Sequence, residues 1–361
     1  MTRYQGWIYL FCFCCLSALA QSSSPAAQPQ APASVPAGAA NRLITLDVVV
    51  TDRTGQPLPG LQQQDFALLD NKQAQTISTF HAVAGPTADP PVEVILLVDG
   101  INSRFKGETS AREEIEKFLN QNSGKLTLPV SIFYFTDAGV NAGAPSQDAK
   151  TLIAQLKQNE VTLTNNKASQ GIQGAAERLN LSLRALGQIT DFEAKRPGRK
   201  LLIWLSPGWS FLSSPRVEEL SSSDREKLFH SVVSVSTGLR RARITLYNIN
   251  PAGTGGSPLK TYYKDFVKGV TTAKDVRVGN LGLQVLAYQS GGLVLNGSND
   301  LAGEIATCMN DANAFYVLSF DGAAAGEPNE YHALDVKIAK PGLEARTRSG
   351  YYAQPDQAHK P

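Results

Sequence analysis

The chain has 361 residues, 42% hydrophobic and 18% charged, with a formal net charge of +2. That is globular composition, with enough apolar material for one large core and a smaller one. The near-neutral balance argues against a nucleic-acid partner, which needs a concentrated basic patch.

Arg3 is the only charge before Arg42, and an apolar stretch runs from Trp7 to Leu19. Ala18-Leu19-Ala20 then supplies the small-x-small pattern of a signal-peptidase site. Residues 1–20 are expected to be a secretory signal, with Gln21 the first mature residue. The stretch is short for a membrane span, so no transmembrane segment is expected after cleavage. Export to the periplasm or the cell exterior follows. Cys12, Cys14 and Cys15 fall in the signal, leaving Cys308 alone and no internal disulfide. Cys308 shares helical spacing with Leu301, Ile305 and Met309, which reads as a buried small hydrophobe. Residues 21–41 are Ser-, Ala-, Pro- and Gln-rich without charge and read as a flexible tether.

Order is expected from Arg42. "RLITLDVVVTD" alternates and then turns β-branched, a strand. Gly55, Pro57, Pro59 and Gly60 break it. "DFALLDNKQAQTISTF" reads as a hairpin about Asp70-Asn71-Lys72, flanked by Phe66, Leu68, Ile77 and Phe80. From Pro91 apolar runs alternate with amphipathic helices. The strand candidates are Val92–Val98, Val130–Phe135, Lys200–Leu205, Ile244–Ile249 and Ala314–Phe320, apolar on both faces as in a buried parallel sheet. Between them, Ser110 to Glu113 reads as a capping box before Ala111, Ile115 and Phe118. Further helices are expected around Leu152, across Ile172 to Leu186, after a Ser223–Glu226 cap, up to a stop at Gly291-Gly292, and around Cys308. The predicted fold class is α/β, a doubly wound, mostly parallel sheet at residues 91–320. Late strands in "YHALDVKIAK" and "LEARTRSGYYA" match the early ones in type. Residues 42–83 and 328–354 therefore form one split β-sandwich-like domain around the α/β insertion, with 355–361 a disordered tail.

Ligands of open α/β sheets bind beyond the carboxyl ends of the strands. The candidate loops hold Asp99-Gly100-Ile101-Asn102-Ser103, Thr136-Asp137, Thr164 to Gly171, Leu205 to Ser210, and Asn248 to Pro251. With "LDVVVTDRTGQPLPGLQQQDFALLDN", "VILLVDGINS", "LIWLSPGW", "LAYQSGGLVLNGSNDL", "AFYVLSF" and "KIAKPGLEARTRSGYYA" in this order, nearly all the chain beyond the signal resembles a von Willebrand factor type A domain. The similarity is greater still to the A-related family of acidobacterial secreted proteins. The resemblance implies a divalent-cation site built from an Asp-x-Ser-x-Ser loop, a hydroxyl from a second loop and an aspartate from a third. Asp99 and Ser103 match the first loop, and Ser169 matches the second. Ile101 stands at the middle serine, and Pro207 stands where the third-loop aspartate is expected. A hard cation needs oxygen ligands, and these two positions offer none from their side chains. Asp99, Asn102, Ser103 and Ser169 remain as a degenerate metal set, with Asn102 restoring one ligand if the loop rotates. A weakly held, mostly hydrated Mg²⁺ is the most such a set supports; no other cofactor is expected. The competing reading makes Asp99 a cap on its own loop, accepting backbone N–H groups.

An enzyme is not expected. His81, His230, His332 and His359 are not paired at metal-ligand spacing and read as surface, edge or tail residues. Ser210 lies in no Gly-x-Ser-x-Gly elbow. The glycine-rich "NPAGTGGSP" reads as a mobile loop. Tyr262, Tyr263 and Phe266 ride on the long Asn250–Asp275 segment, either as contact anchors for a partner or folded back over the sheet edge. Arg240, Arg241 and Arg243 complement a helix dipole. The expected function is a non-enzymatic, exported interaction module with a protein or cell-surface partner. The alternatives are a Mg²⁺-dependent adhesion domain and a hydrolase of unrecognised design.

Overall fold

The computed structural model describes residues 42–355 apart from 85–86, 104, 159–170, 210–219, 252, 254–261 and 323–324. The expected signal (1–20), the expected tether (21–41), the residues from 356 onward, Ser169, Ser210 and His359 lie outside the described residues.

The alternating run after Arg42 forms β1 (Leu43–Thr51). β2 (Phe66–Asp70) and β3 (Gln73–Gln75) make the expected hairpin. Its turn residues Asn71 and Lys72 both have positive φ, 47° and 68°, the backbone of a type I′ turn. β4 (Thr79–Ala84) leaves that hairpin for another sheet. Next come β5 (Glu93–Asp99), α1 (Phe105–Leu119), β6 (Lys125–Thr136), β7 (Gly139–Ala142), β8 (Ser146–Asp148), α2 (Ala149–Gln158) and α3 (Gly171–Glu193). β9 (Lys200–Leu205), α4 (Ser222–Arg241), β10 (Ile244–Ile249), α5 (Leu283–Gln289), β11 (Val294–Leu295) and α6 (Leu301–Asn310) follow. The chain closes with β12 (Ala314–Asp321), β13 (Glu330–Ile338), β14 (Glu344–Arg346) and β15 (Gly350–Ala353).

The fold is mixed α/β with several sheets, one of them largely parallel. That sheet has seven strands in the order β11-β10-β9-β5-β6-β7, with β8 also on β6. Neighbours from β11 to β6 are parallel, while β7 and β8 join antiparallel. Every residue of β5, β9 and β10 is buried, because alternate side chains serve two cores. Val94, Leu96, Ile203 and Tyr247 pack with α1, α2 and α6 through Ile115, Leu152 and Ile305. Ile95, Leu97, Leu202 and Leu246 pack with α3, α4 and α5 through Leu186, Leu239 and Leu286.

Two antiparallel four-stranded sheets, β14-β1-β12-β4 and β15-β13-β2-β3, face each other over a third core of Leu46, Val48, Leu68, Leu318, Phe320 and Val336. β12 corrects one expectation. Ala314–Phe320 was read as a strand of the parallel sheet, but it lies between β1 and β4, antiparallel to both. Tyr316, Leu318 and Phe320 enter the sandwich core, while Phe315 and Val317 pack on the layer holding α1, α2 and α6. A strand apolar on both faces reads the same in either sheet.

Other details also differ from the pattern reading. α1 begins at Phe105, so Ser110 to Glu113 lies inside the helix and caps nothing. α4 is capped by Ser221, whose hydroxyl accepts the Asp224 N–H at 3.1 Å. The stop after α5 falls where expected. Gly291 has φ +90°, and a Cβ on Gly292 would lie 1.9 Å from the Leu246 carbonyl oxygen in β10, so neither position takes a side chain.

Buried polar links tie the sandwich to the parallel sheet. Arg346 of β14 donates to both Asp311 carboxylate oxygens at 2.8 Å, and the β10 hydroxyl of Tyr247 donates to Asp311 Oδ2 at 2.5 Å. Arg243, after α4, pairs with Asp47 of β1 at 2.5 Å. Its role is therefore more than helix-dipole complementation.

Candidate functional site

The apolar run of β5 ends at Asp99, which is 1% exposed. Parallel register sets Asp99 beside Phe135 of β6 and Leu97 beside Trp204 of β9. Asp99 shares the α3–α5 face of the sheet with Leu97, Phe135 and Trp204.

Its carboxylate is fully engaged. Oδ1 accepts the backbone N–H of Ile101 at 2.9 Å and of Asn102 at 2.8 Å. Oδ2 accepts Asn102 Nδ2 and the indole N–H of Trp204, both at 2.9 Å. Hydrogen bonds to a charged group are worth about 1.5–3 kcal/mol each, so four of them offset the desolvation of a buried carboxylate. Asn102 extends the arrangement by donating to Ser182 Oγ of α3 at 3.0 Å. The Trp204 ring is braced edge-on by Phe135 and Trp209, with centroids 5.8 and 5.7 Å away. Asn248 of β10, fully buried, donates to the carbonyls of Trp204 at 3.3 Å and Ser206 at 2.9 Å.

Around this closed centre four buried polar atoms lack hydrogen-bond partners: Asn102 Oδ1, Ser103 Oγ, Trp209 Nε1 and Asn248 Oδ1. An unmet buried group costs about 1–3 kcal/mol, so these four weaken this end of the sheet.

Of the residues expected to hold a metal, the structure brings Asp99, Asn102 and Ser103 together, and Ser169 lies outside the described residues. Ile101, at the middle serine position of the resemblance, is buried in the core with Leu179 and Leu283. Pro207 is exposed, and its carbonyl accepts Gln284 Nε2 at 3.3 Å. A divalent cation needs a carboxylate with free lone pairs. With Asp99 saturated, the arrangement does not fit such an ion. Among the described residues no group of three His, Cys, Asp or Glu side chains is placed to hold a metal.

The aromatic segment divides. Phe266 is buried, 7% exposed, and its ring lies against Gly279, so of the two alternatives this residue takes the folded-back one and is no surface anchor. Tyr262 leans on Phe266 edge-on at 5.2 Å, and both tyrosines are half-buried. Burial and the neighbouring Tyr288 push the Tyr263 hydroxyl above its ordinary range. Tyr288, which sequence reasoning did not single out, is 52% exposed.

His332 is also corrected from edge to interior. It is 4% exposed, its Nδ1 lies 2.9 Å from Asp70 Oδ1, and its ring stacks on Tyr351. Tyr351 in turn donates to Asp70 Oδ2 at 2.7 Å. His81 and His230 are exposed on β4 and α4. Trp204 and Asn248 were missed as site residues. Their only signal was a polar or indole-bearing residue near the end of an otherwise aliphatic strand.

No protein-family model and no curated protein matches the chain. Among solved structures it is similar to the conserved hypothetical protein BatB from Bacteroides thetaiotaomicron, with 12% identity over 61% of this chain and 97% of that one and a TM-score of 0.31. It is also similar to the three N-terminal domains of the type V pili tip protein Mfa5 from Porphyromonas gingivalis, with 9% identity over 86% of this chain and 66% of that one and a TM-score of 0.30. Likeness at these scores carries no argument about what this chain does. No helix among the described residues is long and apolar enough to cross a membrane.

Proposed function

We propose that the chain is an exported, non-enzymatic interaction module. In this reading a doubly wound sheet like that of a von Willebrand factor type A domain is inserted in a split β-sandwich. The loops at the carboxyl ends of its strands meet a protein or cell-surface partner. The observation that carries the reading is the closure of Asp99 by Ile101, Asn102 and Trp204. A carboxylate with every acceptor site taken is a loop staple. It holds the surrounding surface in one shape, as a rigid contact surface requires. Export rests on the signal-like residues 1–20.

The test is photo-crosslinking against the producer's envelope fraction. A photoreactive residue at Asp137, exposed beyond β6, is expected to capture a discrete partner. The same residue at Lys195, exposed at the opposite end of the sheet, is expected to capture none. Equal capture from both positions, or from neither, contradicts the reading.

One observation favours a metal-dependent second reading: Asn102 Oδ1 and Ser103 Oγ are oxygens without partners beside a carboxylate. It requires Trp204 and Asn102 to release Asp99, and a cation titration separates the two.

A further inference from the structure

The sandwich has four sheet edges, and three are protected. β14 is three residues long and carries Glu344 and Arg346. β15 is buried throughout, with Tyr352 against Phe229 of α4. β3 is three residues long. β4 differs: among the described residues its six, "TFHAVA", pair only with β12, and Thr79, His81, Ala82 and Ala84 are exposed. It carries no Asp, Glu, Lys, Arg, proline or glycine, so it lacks the residue types that commonly keep sheet edges from pairing.

We propose that β4 pairs antiparallel with β4 of a second copy about a two-fold axis at His81, joining two four-stranded sheets into one of eight. Residues opposite each other in such a pair must share a face, which requires an even register sum. Centring on His81 meets this and pairs Thr79 to Val83, with Ala84 left opposite Ser78, outside the strand. Phe80 then lies opposite Ala82 of the second copy, and Thr79 opposite Val83 of the second copy, large against small. Phe80 already rests on Phe66 and Tyr316, with centroids 5.4 and 5.8 Å away, and the added strand covers its open side. An uncharged strand meets its own copy without like-charge repulsion, and the copy supplies the small Ala82 opposite Phe80. The tether at residues 21–41 is a poor occupant, because Pro25, Pro29, Pro32 and Pro36 interrupt any ladder. A five-residue ladder is a small interface, so the dimer is weak and concentration-dependent.

Sedimentation equilibrium of the full chain, from micromolar to near-millimolar concentration, tests this together with His81→Glu and His81→Lys. Each variant places like charges at the axis and weakens dimerisation by about tenfold or more. An equimolar mixture of the two recovers a dimer at least as strong as wild type. Amide exchange at Thr79–Ala84 in the wild type slows as concentration rises, a readout that needs no substitution. A wild type that stays monomeric, a dimer indifferent to both variants, no recovery on mixing, or exchange independent of concentration overturns the proposal.

Discussion

The indole N–H of Trp204 on β9 donates to Oδ2 of Asp99 on β5 at 2.9 Å, inside a site where neither residue is more than 1% exposed. A strand-end aromatic thereby occupies the acceptor site that a cation would need. Trp204→Phe keeps an aromatic ring beside Phe135 and Trp209, but it removes the donor and leaves a small cavity where the indole was larger. It is expected to lower stability by about 1–3 kcal/mol, read as an unchanged denaturant slope with a lower midpoint. A loss below about 0.5 kcal/mol would show that the bond is not structural.

Asp311 joins the two halves of the molecule through Arg346, Tyr247 and, by its carbonyl, Arg199. Removing one partner of a buried pair costs about 3–5 kcal/mol, because the other charge is stranded. Asp311→Ala is expected to cost that much and to split a single calorimetric transition into two. One broader but undivided transition would mean that apolar packing of Phe315 and Val317 carries the coupling instead.

Glu304, in the first turn of α6, is 9% exposed, and its Oε2 has no partner. Desolvation, with a smaller contribution from Asp300, pushes its carboxyl up to about 7. The folded pKa therefore lies above the unfolded one. The folded state keeps the proton longer, and stability falls as pH rises from about 4.5 through 7. Glu304→Gln is expected to flatten that slope and to raise stability at pH 8 by roughly 1–3 kcal/mol. Urea titrations of both proteins at pH 5 and pH 8 check the sign. A variant less stable than wild type at pH 8 would contradict it.

Cys308 is fully buried, and burial pushes its thiol well above the ordinary range. A disulfide reagent should modify it only at the rate of opening or unfolding, with labelling rising in step with denaturant. Rapid labelling of the native chain would contradict its placement.

Much of the fold was legible in the sequence. Lys200–Leu205 and Ile244–Ile249 have the expected bounds, and the Asn71-Lys72 turn falls where expected, although Lys72 takes a positive φ that suits glycine better. The Gly291-Gly292 stop is enforced by the close approach of β10. What the pattern left open was partnership. β12 and the parallel strands are equally apolar, and only β1 and β4 on its two sides decide its sheet. Lys200 opens an apolar strand, yet its ammonium caps the carbonyls of Glu193, Arg196 and Ala242. No local pattern reports a contact that long-range packing creates. The site divides the same way. The Asp99 loop was visible from its residue types, and both of its readings were open. The choice between them rests on Trp204, which lies 105 residues away.

Isothermal titration with Mg²⁺ and Mn²⁺, on wild type and on Asp99→Ala, tests the central claim most directly. If Asp99 is the loop's own staple, neither protein gives a binding heat, and the variant is less stable by a few kcal/mol. A stoichiometric heat in the wild type that Asp99→Ala abolishes would make the loop a cation site and contradict the account.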